Sequence, residues 1–431
     1  MASFIRCSTT PAGLRKFHRT YSTMSVKILL PILLSTALAN AAQFKFGNQT
    51  FTVPDGFTVE RVAGPPLVNR PIEASFDDQG RLYVTDSSGS NARVPEQIKN
   101  PTHRIVRLED TDGDGKFDKS VVFADKMMFP EGALWHDGAL YVSAVPIIWK
   151  LEDTNGDGRA DKRTKWFDGK TANGCANDLH GPYLGLDGWI YWCKGAFEQQ
   201  QHKRPRGQII DDRAAHIYRM RPDGTEMDSI MAGGMDNPVG MAFSETGEVF
   251  FTTTFFSHPR SGNRDALVHA VYGGVYPKNW SILDKLTRTG DLMPPLSHLG
   301  PAAPCGLTAY ESEVFGKSFK GNLFTCQFNM HKVQRHVLSP SGATFTSRDI
   351  DFMVSDNPDF HPTDVFEDAD GSLLVVDTGG WYKLCCPTSQ IAKPEVLGGI
   401  YRIRRTDGRP RKDARGLKLA WQKMSPAQTT A

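Results

Sequence analysis

Two kinds of stretch in this chain carry side chains spaced for chemistry. The first is Asp110-x-Asp112-x-Asp114-Gly115 followed by Asp118, repeated 43 residues later as Asp153-x-Asn155-x-Asp157-Gly158 followed by Asp161. Oxygen ligands at positions 1, 3, 5 and 9 around a glycine at position 6 let a chain wrap a hard cation, which points to calcium. Position 12 holds Val121 and Thr164 where a bidentate glutamate would complete the shell. Each loop therefore reads as an incomplete calcium site on a hairpin, or as a turn held by its own Asp and Asn side chains. The second stretch is Asn177-Asp178-Leu-His180-Gly181, just ahead of Asp187-Gly188. Imidazole exchanges a proton near neutral pH and a neighbouring carboxylate can orient it, so His180 is the candidate base and Asp178 its partner.

Those residues need a frame, and a repeat supplies it. A turn glycine is followed at a fixed offset by an apolar run at Gly80, Gly138, Gly188, Gly247, Gly321 and Gly371, with spacings of 58, 50, 59, 74 and 50 residues. Glycine gives the positive φ of a tight hairpin and the apolar run suits a buried strand, so the pattern predicts an all-β, six-bladed β-propeller. A second series with a basic residue at a matching place, around Arg107, Arg219, Arg335 and Arg402 with Lys150 as a degenerate member, is expected on outer-strand hairpins. The propeller is expected over residues 43–405, with the strand Phe57–Ala63 pairing near the C-terminal end to close the ring. Loops that enter the inner strands converge at one end of the central channel, and His180 falls in the loop feeding the third blade. His258, Arg260, Arg264, His269, His298, His331 and His361 fall where such loops meet, suggesting a histidine-rich mouth compatible with a substrate or a transition metal. No short-range His-x-x-x-His spacing defines a metal centre.

Met24-Ser-Val-Lys27 leads into the apolar run Ile28–Leu38 and then Ala39-Asn-Ala41, the pattern of an export leader over residues 1–41 and too short for a membrane span. This places the protein in the periplasm or outside the cell. Without the leader the chain has 45 basic and 48 acidic residues, and nothing suggests a nucleic-acid partner. Residues 406–431 read as a basic, flexible tail. Cys7 falls in the leader, and the other six cysteines permit disulfides without fixing their connectivity.

The chain resembles the soluble quinoprotein sugar dehydrogenases and sorbosone dehydrogenase-like proteins, and more closely the propeller domains of membrane-bound-dehydrogenase-like proteins attached to haem modules. The resemblance covers about residues 55–405. It rests on His180 ahead of Asp187-Gly188-Trp-Ile-Tyr191, on Asp236-Asn237-Pro238-Val-Gly240, on Asp265-Ala-Leu-Val-His269 with Gly273-Gly274-Val-Tyr276, and on Gly398-Gly-Ile-Tyr-Arg-Ile-Arg404. It implies an oxidoreductase acting on a sugar or sugar-derived alcohol or aldehyde, with His180 taking the hydroxyl proton, pyrroloquinoline quinone as hydride acceptor and a haem-bearing partner for the electrons. Asn237, Lys332, His361 and Arg260 would lie at the cofactor. The chain departs from the family where a cofactor-contacting arginine becomes Asp236 and where two arginines that grip the quinone carboxylates become His361 and Thr363. The other functions weighed are a calcium-bound lactonase-like hydrolase and a non-catalytic propeller that binds glycans or proteins.

Overall fold

The computed structural model describes residues 41–170, 172, 179–204, 207–257, 264–381, 392–410 and 413–415. They form six blades around one axis, each built on four antiparallel strands; the strand Gly274–Pro277 adds in parallel to the edge of blade three, and Gln200–Lys203 pairs with Ile209–Asp212 as a separate ribbon. Blade one is Pro71–Phe76, Leu82–Asp86, His103–Glu109 and Lys119–Met127, and blade two is Pro130–His136, Ala139–Ala144, Ile147–Glu152 and Lys162–Asp168. Blade three is Leu179–Leu184, Ile190–Lys194, Ala215–Met220 and Met227–Gly234, and blade four is Asn237–Phe243, Val249–Thr254, Asp265–Ala270 and Ser297–Gly300. Blade five is Pro304–Ala309, Leu323–Gln327, Lys332–Ser341 and Thr344–Ser355. Blade six takes Pro362–Glu367, Leu373–Asp377 and Gly399–Arg405 from the end of the chain and Phe57–Ala63 from its start.

The six repeat glycines all sit at positive φ and all lead into second strands. These strands are covered on both faces by neighbouring blades and are buried along nearly their whole length; Leu82 and Val84 of blade one share an apolar cluster with Leu374 and Val376 of blade six. The basic repeat lies on third strands, each of which pairs with the outermost strand of its blade. Two of these arginines reach acids on adjoining turns, Arg402 to Asp368 at 2.6 Å and Arg219 to Asp187 at 3.0 Å. The predicted closure is present, with Ile400 opposite Ala63 and Arg405 opposite Phe57. An additional hairpin, Ala41–Phe46 with Gln49–Pro54, extends blade five through Phe51 opposite Ser355.

The first strands line the axis, each packed on the first strand of the next blade. Each carries a bulge after its opening residues, between Pro71 and Ala74, Pro130 and Ala133, His180 and Tyr183, Pro238 and Met241, Pro304 and Leu307, and Pro362 and Asp364. At the bulge the backbones of adjacent blades nearly touch. A Cβ on Gly132 would sit 1.8 Å from the Gly181 carbonyl oxygen, one on Gly240 2.3 Å from that of Cys305, and one on Gly306 2.5 Å from the Asp364 Cα.

Gly240→Ala must therefore separate two backbones and should cost about 3 kcal/mol, as overpacking of a rigid site does. Gly188→Ala, in an open turn at positive φ, should cost about 1 kcal/mol. Urea denaturation of the two variants checks the order; equal losses would remove the packing explanation.

Candidate functional site

Aligning the first strands on their bulges gives one axial position per blade: Glu73, Gly132, Gly181, Gly240, Gly306 and Asp364. Four are glycine and two are acids, and the acids belong to blade one and to blade six, the blade that contains the closure. Glu73 is buried, its N–H donates to Thr85 Oγ1 at 2.9 Å, and the Tyr183 hydroxyl lies 3.4 Å from its Oε1 and 3.0 Å from the Val239 carbonyl. The Ala74 N–H donates to Asp364 Oδ2 at 3.2 Å. Loss of water around the Glu73 carboxyl, and then the like charge of Asp364, push its pKa well above the usual carboxylate range. Desolvation pushes Asp364 up to about 7. Two acids in one dry place cannot both ionise cheaply, so the axis holds a proton near neutrality.

One residue toward the strand starts, two titratable side chains lie on the first strands of adjoining blades. His180 is the second residue of blade three's first strand, not part of a preceding loop as expected, and Glu131 holds the corresponding place in blade two. Both are buried, and His180 Nδ1 lies 3.7 Å from Glu131 Oε2, an electrostatic contact longer than a hydrogen bond. Asn237 opens the first strand of blade four. Its backbone oxygen accepts from Thr253 Oγ1 at 2.9 Å, and its side-chain Oδ1 is buried without a partner. A buried acceptor left unbonded is the kind of group that a ligand hydroxyl satisfies. Asp236, preceding it, is paired with Lys278 at 2.8 Å, and that ammonium lies 4.9 Å from the Trp280 ring centre and 5.6 Å from that of Phe255. Arg264 is spent on Asp265, whose carboxylate also takes the N–H groups of Phe255 and Ala303.

The other expected site residues are placed as follows. Lys332 opens the third strand of blade five and reaches outward to Asp351 at 2.6 Å. His361 is buried immediately ahead of blade six, and desolvation lowers its pKa to about 4, so the ring is neutral. Thr363 Oγ1 donates to the Val376 carbonyl at 3.4 Å. Asp178 and Arg260, with His258, lie outside the described residues, as do the leader and most of the basic tail. Within that tail Arg415 is described: it pairs with Asp368 and covers the Phe76 ring at 4.2 Å. Cys193, Cys305 and Cys326 are free thiols, and burial pushes Cys305 up to about 12, so disulfides are absent among the described cysteines.

The two aspartate loops share one hydrogen-bond pattern. Asp110 accepts from the N–H groups of Gly113 and Gly115, and Asp153 from those of Gly156 and Gly158. Asp112 accepts from Asp114 N–H and Asp114 from Lys116 N–H; Asn155 and Asp157 repeat this. Asp118 and Asp161 close each loop on Thr111 and Thr154. One oxygen each of Asp110, Asp112 and Asp114 lies within 4.8 Å of the others. Each loop also joins two blades, through Phe117 N–H to the Val62 oxygen and Ala160 N–H to the Phe123 oxygen.

Sequence reasoning missed Glu73, Glu131 and Asp364 as site residues. A signal was present, because the axial position precedes the turn glycine by six or seven residues in five of the six blades. The carboxyls also make a prediction. Their folded pKa values lie above those of the unfolded chain, so the stability linked to their protons is full below about pH 4 and is lost as pH rises through about 7 and beyond. Thermal melts from pH 5 to pH 9 should show wild type losing more stability than Glu73→Gln; parallel profiles would refute the shared proton.

Comparison with known proteins agrees with the geometry. The propeller matches the pyranose dehydrogenase PQQ domain of Coprinopsis cinerea at 14% identity and TM-score 0.54, covering 84% of this chain and 98% of that one. It matches the PQQ-bound aldose sugar dehydrogenase of Streptomyces coelicolor at 15% identity and TM-score 0.53, covering 82% and 99%. A Trichoderma reesei carbohydrate-active enzyme of family AA12 matches at 12% and TM-score 0.56, covering 82% and 97%. At these identities the likeness is one of fold, and it is the fold that the sequence resemblance implied. No curated protein matches the sequence. Residues 45–407 match the model of one family across the whole ring, and the chain belongs to that family, the domain of unknown function DUF7133.

Proposed function

We propose that this protein is an exported oxidoreductase acting on a sugar or a sugar-derived alcohol or aldehyde, with His180 as base. The observation that carries the reading is the buried His180–Glu131 pair, 3.7 Å apart on the first strands of adjoining blades. A substrate hydroxyl gives its proton to the imidazole, and the Glu131 carboxylate stabilises the imidazolium that forms. Asn237 Oδ1 accepts from a second hydroxyl and orients the ring. The carbon gives up its hydrogen as hydride to a two-electron organic acceptor other than pyrroloquinoline quinone, bound beside His180, and that electron pair reduces the acceptor.

Pyrroloquinoline quinone does not fit the described residues as that acceptor. A tricarboxylate needs unpaired cations, and at this end Lys278, Arg264 and Lys332 are each committed to an aspartate while His361 is neutral. A second reading, a lactonase-like hydrolase, is favoured by Glu73 and Asp364 facing the axis, where carboxylates can hold a metal that polarises a carbonyl.

The test is dye-linked oxidation by the purified protein over a sugar panel, with and without added quinone, and lactone hydrolysis with calcium. His180→Gln should lower kcat about 100-fold and Glu131→Gln about tenfold, with little change in melting temperature. Wild-type turnover that depends on quinone would overturn the misfit, and unaltered turnover in His180→Gln would overturn the base.

Calcium in the Asp110 and Asp153 loops is proposed as a resident structural ion, supported by the clustered oxygens and the repeated loop geometry. Calcium should raise the melting temperature by binding the folded state, and Asp112→Ala with Asp114→Ala should remove most of that rise, as followed by differential scanning calorimetry. The same response in the double variant would show that calcium acts elsewhere. Export is supported by the leader pattern of residues 1–41, and N-terminal sequencing of secreted material reads it directly.

A further inference from the structure

Two histidines from different blades face each other with their tautomers already fixed. His331 lies between the second and third strands of blade five, and His361 immediately precedes the first strand of blade six. Their ring centres are 5.1 Å apart with planes inclined at 72°. His331 Nδ1 is 2.8 Å from the Phe360 carbonyl, so it carries the proton and donates to the residue adjoining its partner. His361 Nδ1 donates to the carbonyls of Gly379 at 2.7 Å and Asp359 at 3.1 Å. Both Nε2 atoms are thus unprotonated acceptors, and neither has a hydrogen-bond partner among the described residues.

The supports are as specific as the rings. Asp377 Oδ1 accepts from the N–H groups of both His361 and Gly379 at 2.9 Å, which holds the carbonyl that receives the His361 proton. Phe328 lies on the His361 ring at 4.5 Å. His331 has φ 53° and ψ 41°, a left-handed conformation uncommon outside glycine, and its backbone oxygen is fixed by Ser355 N–H at 3.0 Å.

A histidine that binds a metal through one nitrogen donates the other N–H to a carbonyl or carboxylate, which sets its tautomer and aim. Two imidazoles that share one first-row ion at about 2.1 Å from each nitrogen place their ring centres about 5 Å apart. We infer that His331 and His361 form a two-histidine site for a first-row transition-metal ion, bound through both Nε2 atoms, with its remaining positions open to water or a small ligand. The site prefers copper(II), nickel(II) or zinc(II) over calcium, because its donors are imidazoles and not oxygens. This goes beyond the proposed oxidation, which uses His180 and needs no metal.

The test is titration of the untagged, chelator-treated full chain with copper(II) and, separately, with zinc(II) by calorimetry, with electron paramagnetic resonance of the copper form. One saturable equivalent is expected, with hyperfine coupling from two imidazole nitrogens and no competition from calcium. His331→Asn keeps a residue tolerant of the left-handed backbone and should weaken copper binding at least about tenfold, leaving one coupled nitrogen. His361→Gln should do the same; if it unfolds, His331→Asn alone decides. Absence of saturable binding in wild type, or unchanged affinity and coupling in His331→Asn, would overturn the inference.

Discussion

Six first strands can share one axis only where their backbones may almost touch, and the bulges near the starts of three of them are where they do. Gly132, Gly240 and Gly306 leave less room toward the next blade than a methyl group requires. The ring depends on these contacts for its diameter, and with it the spacing of everything the inner strands carry. Packing between blades is apolar and tolerant of repacking, but backbone against backbone has no side chain to yield.

Where the axial glycine is replaced, the replacement is an acid. Glu73 and Asp364 stand in adjoining blades, one and six, and their proximity costs ionisation free energy that the fold supplies elsewhere. One residue toward the strand starts, Glu131 and His180 set a carboxylate 3.7 Å from an imidazole. These side chains thus occupy equivalent positions of successive blades, where the residue type varies and the backbone position does not. Symmetry of the backbone supplies the site, and departures from symmetry in sequence supply the reactivity.

The blades were legible because a turn glycine at positive φ followed by a strand buried on both faces leaves a strong local trace. His180 was legible as a candidate through its neighbours Asp187 and Gly188. Glu131 was not, because its partner lies in another blade 49 residues away and nothing local marks it. The pairings that neutralise Lys278 and Lys332 were hidden for the same reason: Asp236 lies 42 residues from Lys278, and Asp351 is distinguished from other exposed acids only by the register of its hairpin. Long-range charge pairing is set by topology, whereas propensity and periodicity report only what neighbours in sequence do.

The closing strand Phe57–Ala63 waits for a partner, Gly399–Arg405, that leaves the ribosome some three hundred and forty residues later. Until then the sixth sheet lacks either its outermost or its inner members, and a nascent chain has both lateral edges of the incomplete ring available for pairing with other chains. The hairpin Ala41–Pro54 bears on the same interval, because it borders the outer edge of blade five and the stretch from Gln49 to Ala63 spans two successive sheets. Ring closure thus joins an early segment to a late one, and the completed circle presents neither lateral edge.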